Sequence, residues 1–120
     1  MADGDYEEEG GYRAALKILG AVRRPSAILC ASDLMAIGAS RALKEKGVSV
    51  PEDISIVGFD NMEEAIYHEP PLTTVAFSAY EMGRLAAQKI FQIIAEEPLV
   101  EKATTLQAKL LERESTRKIG

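Results

Sequence analysis

The 120-residue sequence predicts an α/β fold in which parallel strands are joined by helices. Apolar runs of strand length alternate with segments whose apolar residues recur every three or four positions, the spacing of one helix face. The connections between successive strands are long enough for a helical crossover, which a parallel pair requires. A hydrophobic content of 47% is ordinary for a single domain of this size.

The first helix and the first strand are predicted in the N-terminal quarter. Residues 7–19 carry apolar side chains at helical spacing, and Gly20 follows them as a stop signal. The apolar run 27–30 comes after Pro25 and has the length and composition of a buried strand. Its Cys30 is the one cysteine of the chain, which predicts a buried free thiol and a reducing, cytoplasmic setting.

A second helix and a second strand follow in the same way. Either Ser32 or Asp33 can cap the start of this helix, and Gly47 ends it. We interpret Asp33 as an N-cap, whereas Ser32 fits either a cap or a ligand contact. After a loop that contains Pro51, residues 54–57 are predicted to form the next buried strand.

The C-terminal part is predicted to contain two more strands and one long helix. Residues 72–77 have the pattern of a strand after a double proline, and residues 104–111 alternate like a strand. Residues 78–95 form a helix that is apolar over more than one face. Such breadth predicts that the helix lies between other elements or covers a partner.

Polar side chains follow the predicted strands at the edge where parallel α/β sheets bind ligands. Ser32 follows the first strand, and Asp60 and Asn61 follow the second. Tyr6 belongs to the same edge if residues 1–4 are the remnant of a strand. The residues alone leave two alternatives open, because Asp60 can simply end its strand and Tyr6 can be a contact at a helix start.

Charge and motif content exclude several classes of protein. The net charge is −5, which argues against direct binding of nucleic acid by these residues. No apolar stretch approaches the roughly 18 residues of a membrane span, and we find no export leader. The chain has a single histidine, His68, and no phosphate-binding glycine loop or nucleophile with a base. We therefore predict no enzymatic activity, no cofactor and no metal.

Four motifs occur in a fixed order along the chain: SDLMAIGASRAL, GVSVPEDISIVGFDN, PPLTTV and LLERES. Together with the opening GDYEEEGGYRAALKIL, they resemble the C-terminal part of the effector-binding core of LacI/GalR-family bacterial transcription regulators. The resemblance covers nearly all 120 residues. The combination of motifs is specific, although each motif alone is weak.

This resemblance implies a three-layer, Rossmann-like parallel sheet flanked by helices, of the periplasmic-binding-protein-like type and truncated. Residues 1–120 are then the C-terminal portion of an effector-binding domain, without the helix-turn-helix headpiece and most of the N-terminal lobe. The implied function is effector sensing and dimerisation in a regulator whose headpiece binds DNA. The alternatives are a fragment of a periplasmic-type sugar-binding protein and, disfavoured by the missing catalytic set, an enzyme on a doubly wound sheet.

Three residues match effector contacts of the family. Tyr6 matches an aromatic residue that stacks on the effector, Ser32 a polar contact, and Asp60 an acidic residue that hydrogen-bonds sugar hydroxyls or a base. A carboxylate accepts two hydroxyl donors at once, and an aromatic face covers the apolar side of a ring. The implied partners are a sugar, nucleobase or nucleoside, operator DNA through the headpiece alone, and no membrane. The isolated chain is expected to bind neither operator DNA nor effector with native-like affinity.

The resemblance also implies a homo-oligomer. Family members pair through the helix that corresponds to residues 33–46 and through the segment after Asn61. Helical spacing places Leu34 and Ile37 on one stripe, while the stripe of Met35, Ala39 and Leu43 faces the sheet. The candidate dimer contacts are Leu34, Ile37, Met62, Ile66 and Tyr67, and the alternative is that some of them belong to the core.

Overall fold

A computed structural model describes residues 1–120 and contains four helices and one four-stranded sheet. The strands lie in the order β1-β2-β3-β4, which is also their order in the chain. The helices are α1 (Glu8–Leu19), α2 (Asp33–Glu45), α3 (Glu63–Tyr67) and α4 (Ala79–Ile94). The strands are β1 (Ala27–Leu29), β2 (Ser55–Phe59), β3 (Thr73–Ala76) and β4 (Lys109–Leu111).

Strands β1, β2 and β3 are parallel, as the sequence predicts. Ile28 of β1 lies beside Ile56 of β2, and Gly58 of β2 lies beside Thr74 of β3. The carboxyl ends of these strands therefore meet at one edge of the sheet, and α2 begins directly after β1 at that edge. The predicted α/β class is confirmed.

The core forms where α1 contacts α2 and where α2 contacts β2. Met35, Ala39 and Leu43, the stripe of α2 predicted to face the sheet, are all buried in it. Ile54 and Ile56 are buried from the side of β2. Leu43 has no exposed surface, so helix periodicity identified these positions as buried, although the backbone of Met35 lies against Gly11 of α1.

Glycines allow the backbones of α1 and α2 to touch. A Cβ atom on Gly11 would overlap the backbone of Met35, and a Cβ on Gly38 would overlap the carbonyl oxygen of Glu8. No larger residue fits at either position without a backbone shift. This close approach brings the start of α1 against α2, next to the sheet edge described above.

The chain divides into two compact units. The first contains Met1–Ala76 and Leu110–Gly120, and the second contains Phe77–Lys109. Helix α4 belongs to the second unit and has no buried residue, so the expectation that it is enclosed between other elements is wrong, and its role in covering a partner stays a prediction. None of the helices is long and apolar enough to cross a bilayer. The large apolar side chains that α4 exposes are Tyr80, Met82, Ile90, Phe91, Ile93 and Ile94.

Several predicted element boundaries are wrong. Of residues 104–111, only Lys109–Leu111 form β4, and the condition attached to Tyr6 is not met, because residues 1–4 form no strand. Strand β2 continues through Gly58 to Phe59, because both residues pair with β3. Helix α3 was not predicted, since its five residues are too few to show helical periodicity.

Cys30 is a buried free cysteine with 5% of its surface exposed, as predicted. Burial, with a smaller effect from the charge of Asp33, raises the pKa of its thiol to about 12. Because the thiolate is the reactive form, iodoacetamide at pH 8 should not alkylate Cys30 in the folded protein within an hour. Mass spectrometry before and after unfolding in guanidinium chloride tests this, and rapid modification of the folded chain would contradict it.

Candidate functional site at the sheet edge

Ser32 joins the start of α2 to the turn before α1. Its hydroxyl accepts a hydrogen bond from the Met35 amide at 3.2 Å and donates one to the Tyr6 carbonyl at 3.3 Å. Ser32 is therefore the N-cap of α2, and the interpretation of Asp33 as the cap is wrong. With 4% of its surface exposed, Ser32 holds the backbone of Tyr6 in place from inside the protein.

Asp33 is a fully buried carboxylate that ties three elements together. One oxygen accepts a hydrogen bond from the Met62 amide, and the other accepts one from the Thr74 hydroxyl, both at 2.7 Å. Helix α2, the loop after β2, and strand β3 are thereby fixed to one side chain. A Cβ atom on Gly58 would overlap the Asp33 carboxylate, so a glycine in β2 makes room for it.

The loop after β2 has an unusual backbone. Asp60 and Asn61 have φ angles of +106° and +56°, which residues with a Cβ rarely adopt. Hydrogen bonds hold both, because the Asp60 amide donates to the Val75 carbonyl at 3.0 Å and the Asn61 amide to the Thr74 hydroxyl oxygen at 3.3 Å. Such conformations persist where the surroundings enforce them, and they concentrate at functional sites.

The carboxyl of Asp60 is exposed at this edge, but its pKa differs from that of an ordinary surface aspartate. Partial desolvation raises its pKa above the usual value, and the nearby charge of Asp33 raises it further. At this edge Asp33 is therefore buried and hydrogen-bonded, whereas the neighbouring Asp60 is accessible. The accessible carboxylate has oxygens available for donors on a ligand.

Tyr6 presents its ring at the start of α1. Its φ angle is +65°, and 66% of the residue surface is exposed. The preceding Asp5 accepts a hydrogen bond from the Glu7 amide at 3.1 Å and forms an ion pair with Arg13 at 3.1 Å. The turn is thus held from both sides while the aromatic ring remains accessible for stacking.

The candidate dimer contacts lie on two elements that touch, α2 and α3. Leu34 and Ile37 are half-buried on α2, and Met62 is half-buried as the N-cap of α3. Ile66 and Tyr67 are exposed on α3. The five side chains therefore belong to one helix pair and retain accessible apolar surface.

Open clefts elsewhere in the molecule do not contain the predicted residues. One of about 560 Å³ lies beside β1 and is lined by Lys17, Arg23 and Leu29 among others. Another, of about 230 Å³, lies within the second unit between α4 and the segment that follows it. We place the candidate site at the sheet edge because convergent polar groups, more than volume, identify a specific site.

The sequence interpretation missed the network beneath the site. Asp33 and Thr74 hold the loop of Asp60, although the sequence assigned Asp33 to helix capping. The available signal was the pair Thr73 and Thr74 inside an otherwise apolar strand, since buried polar side chains require partners. Both threonines are buried and hydrogen-bonded.

Comparison with known proteins agrees with this architecture. A family model described as the periplasmic binding protein-like domain matches residues 1–116. The chain belongs to this family. One relative is the HTH-type transcriptional repressor PurR of Mannheimia succiniciproducens, which is 36% identical over 120 residues, all of this chain and 36% of the relative.

Solved structures of transcription regulators match the fold closely. The lac repressor dimer bound to operator and the anti-inducer ONPF has a TM-score of 0.87 and 33% identity, over 94% of this chain and 39% of that chain. The complex of the transcriptional regulator CelR with cellobiose has a TM-score of 0.89 and 35% identity, over 93% of this chain and 34% of that chain. The resemblance to LacI/GalR-family regulators is confirmed, and the chain spans about a third of the length of the curated relatives it matches.

Proposed function

We propose that these residues are the C-terminal portion of an effector-binding domain in a LacI-type transcription regulator. Their role is to bind a small molecule and to pair with a second copy, while a headpiece outside these residues binds operator DNA. The observation that carries the proposal is the accessible Asp60 carboxylate, held at positive φ on the carboxyl edge of a parallel sheet. The role is binding, with no catalytic step.

The effector class follows from the chemistry of the edge. Asp60 provides acceptors for hydroxyl or ring N–H donors, and Tyr6 provides an aromatic face. Ser32 contributes by fixing the Tyr6 backbone at 3.3 Å. A sugar, or a nucleobase or nucleoside, combines ring donors with an apolar face. The cellobiose bound by CelR is one such molecule and supports this class.

The proposed dimer uses the helix pair of α2 and α3. Its contacts are the half-buried Leu34, Ile37 and Met62 and the exposed Ile66 and Tyr67. The dimeric state of the related lac repressor supports pairing with a second copy. A location in the cytoplasm is part of the proposal, since operator DNA lies there and the buried free thiol of Cys30 suits a reducing compartment.

A titration followed by two-dimensional NMR tests the effector site. Adding cellobiose and adenine in turn to the ¹⁵N-labelled chain should move the amide signals of Tyr6, Asp60 and Asn61 for at least one probe. We expect weak saturable binding, on the order of millimolar, because a single edge buries little of the ligand. Asp60→Asn should weaken probe binding roughly ten-fold, because the charged acceptor is lost. The chain should not shift operator-length DNA in a gel.

Asp53→Asn is the matched control for this titration. Asp53 is an exposed aspartate whose carboxylate accepts a hydrogen bond from the Ser49 amide at 2.8 Å, away from the sheet edge. This variant should bind the probes as the unaltered chain does. Shifts that map elsewhere, or binding that survives Asp60→Asn, would refute the assignment.

Probe binding should also depend on pH. The raised pKa of Asp60 means that this carboxyl takes up its proton at a higher pH than an ordinary surface aspartate. Because the protonated group is a poorer acceptor, the affinity should be constant near neutrality and fall as the pH drops through that raised pKa. Repeating the titration at several pH values checks the direction. Binding that strengthens on acidification would contradict a carboxylate acceptor.

A further inference from the structure

The C-terminal segment is built into the first unit through Ser115. Its hydroxyl accepts a hydrogen bond from the Thr73 amide at 2.8 Å and donates one to the Ile56 carbonyl at 2.6 Å. The Ile56 amide in turn donates to the Ser115 carbonyl at 2.8 Å. Ser115 is fully buried, so this segment is fixed to both β2 and β3.

Arg113 extends from this fixed segment to the loop after β2. Its amide donates to the Thr73 hydroxyl oxygen at 2.9 Å, which anchors the residue. Its guanidinium donates to the Leu72 carbonyl at 2.8 Å and to the Asn61 side-chain oxygen at 2.6 Å. The residue is half-buried, and both acceptors of its side chain are neutral oxygens. The planar guanidinium thus links Leu72, the residue before β3, to the residue next to Asp60.

We propose that Arg113 is a positioning residue that holds the Asp60–Asn61 loop in its binding conformation. This inference rests on the proposed role of Asp60 as an effector contact. Other hydrogen bonds hold the loop by its backbone amides, whereas Arg113 holds the side chain of Asn61. Asn61 has a φ angle of +56°, so a contact that fixes its side chain also favours this backbone conformation.

The chemistry of the contact favours arginine over lysine. A guanidinium offers several N–H donors in one rigid plane and can satisfy two acceptors at a fixed separation. Lysine has a flexible point charge and holds the same two oxygens less rigidly. Methionine fills a similar volume with no donor. We therefore expect the loop to be most ordered with Arg113, less ordered in Arg113→Lys, and least ordered in Arg113→Met.

Amide hydrogen exchange without ligand tests the proposal. The amides of Asp60, Asn61 and Met62 donate to Val75, Thr74 and Asp33, so each reports loop opening. We expect Arg113→Met to speed exchange at Asn61 and Met62 roughly ten-fold, the loss of about one hydrogen bond. Arg113→Lys should have a smaller effect. The Ile56 amide, bonded to Ser115, should be unchanged.

Two further variants separate positioning from general stability. Arg117→Met is the matched control, because Arg117 lies in the same segment and its guanidinium donates to the Pro51 carbonyl at 3.1 Å, away from the loop. Asn61→Gly tolerates the positive φ and removes the acceptor, so adding Arg113→Met to it should bring little further change at Met62. Unchanged exchange in Arg113→Met, or equal acceleration at Ile56, would overturn the proposal. Because no ligand is present, this outcome is independent of whether Asp60 binds effector.

Discussion

Gly38→Ala should destabilise the first unit by about 3 kcal/mol, at the upper end of the usual cost of overpacking. The added methyl group would overlap the Glu8 carbonyl oxygen and approach the Tyr12 amide nitrogen to 2.9 Å. Both neighbours are backbone atoms within or beside α1, so a side-chain rotation cannot relieve the overlap. The whole of α1 has to move away from α2. Urea unfolding followed by circular dichroism measures the loss.

Gly83→Ala is the control for this substitution. Gly83 also lies inside a helix, α4, but a Cβ atom there would meet nothing within 4 Å. Without steric cost, the substitution should stabilise its helix by roughly 0.5–1 kcal/mol through the higher helix propensity of alanine. If Gly38→Ala proved as harmless as Gly83→Ala, the contact between α1 and α2 would be looser than the structure indicates.

These two glycines also show where sequence interpretation stops. Helical spacing identified α1, α2 and α4 and the packing stripe of Met35 and Leu43. It did not indicate that Gly38 touches another helix while Gly83 faces open space. Both are single glycines within helical patterns. The difference depends on contacts between segments far apart in the chain, which a local pattern does not contain.

In the candidate site, too, some features could be predicted from the sequence and others could not. The position of Asp60 was predictable, because a residue directly after a parallel strand lies at the ligand edge. The supporting contacts were not, since Thr74 and Arg113 are 41 and 52 residues from the groups they bond, Asp33 and Asn61. Asp33 illustrates the difficulty, because an aspartate before a helix has a sufficient local explanation as a cap. Its hydrogen-bond partners, Met62 and Thr74, are instead far away in the sequence.

The buried Asp33 carboxylate predicts a second large effect. Asp33→Ala leaves the Met62 amide and the Thr74 hydroxyl without their acceptor inside the protein. Hydrogen bonds to a charged group contribute about 1.5–3 kcal/mol each, and buried donors without partners are costly. We expect a loss of about 3 kcal/mol or more in the free energy of unfolding. The loop of Asp60 should also become disordered, because Met62 is one of its anchors.

Asp33→Asn distinguishes shape from charge at the same position. The amide fills nearly the same volume and can still accept from Met62, but its NH₂ group meets the Thr74 oxygen, which already accepts from the Asn61 amide. We expect an intermediate loss of about 1–2 kcal/mol in the free energy of unfolding.

Removing the charge of Asp33 should also lower the pKa of Asp60, since Asp33 is one cause of its increase. Urea unfolding and a carboxyl ¹³C titration measure the two effects, with the exposed Asp53→Asn as the control in both. An Asp33→Asn chain as stable as the control, with the pKa of Asp60 unchanged, would mean that Asp33 does not organise this edge.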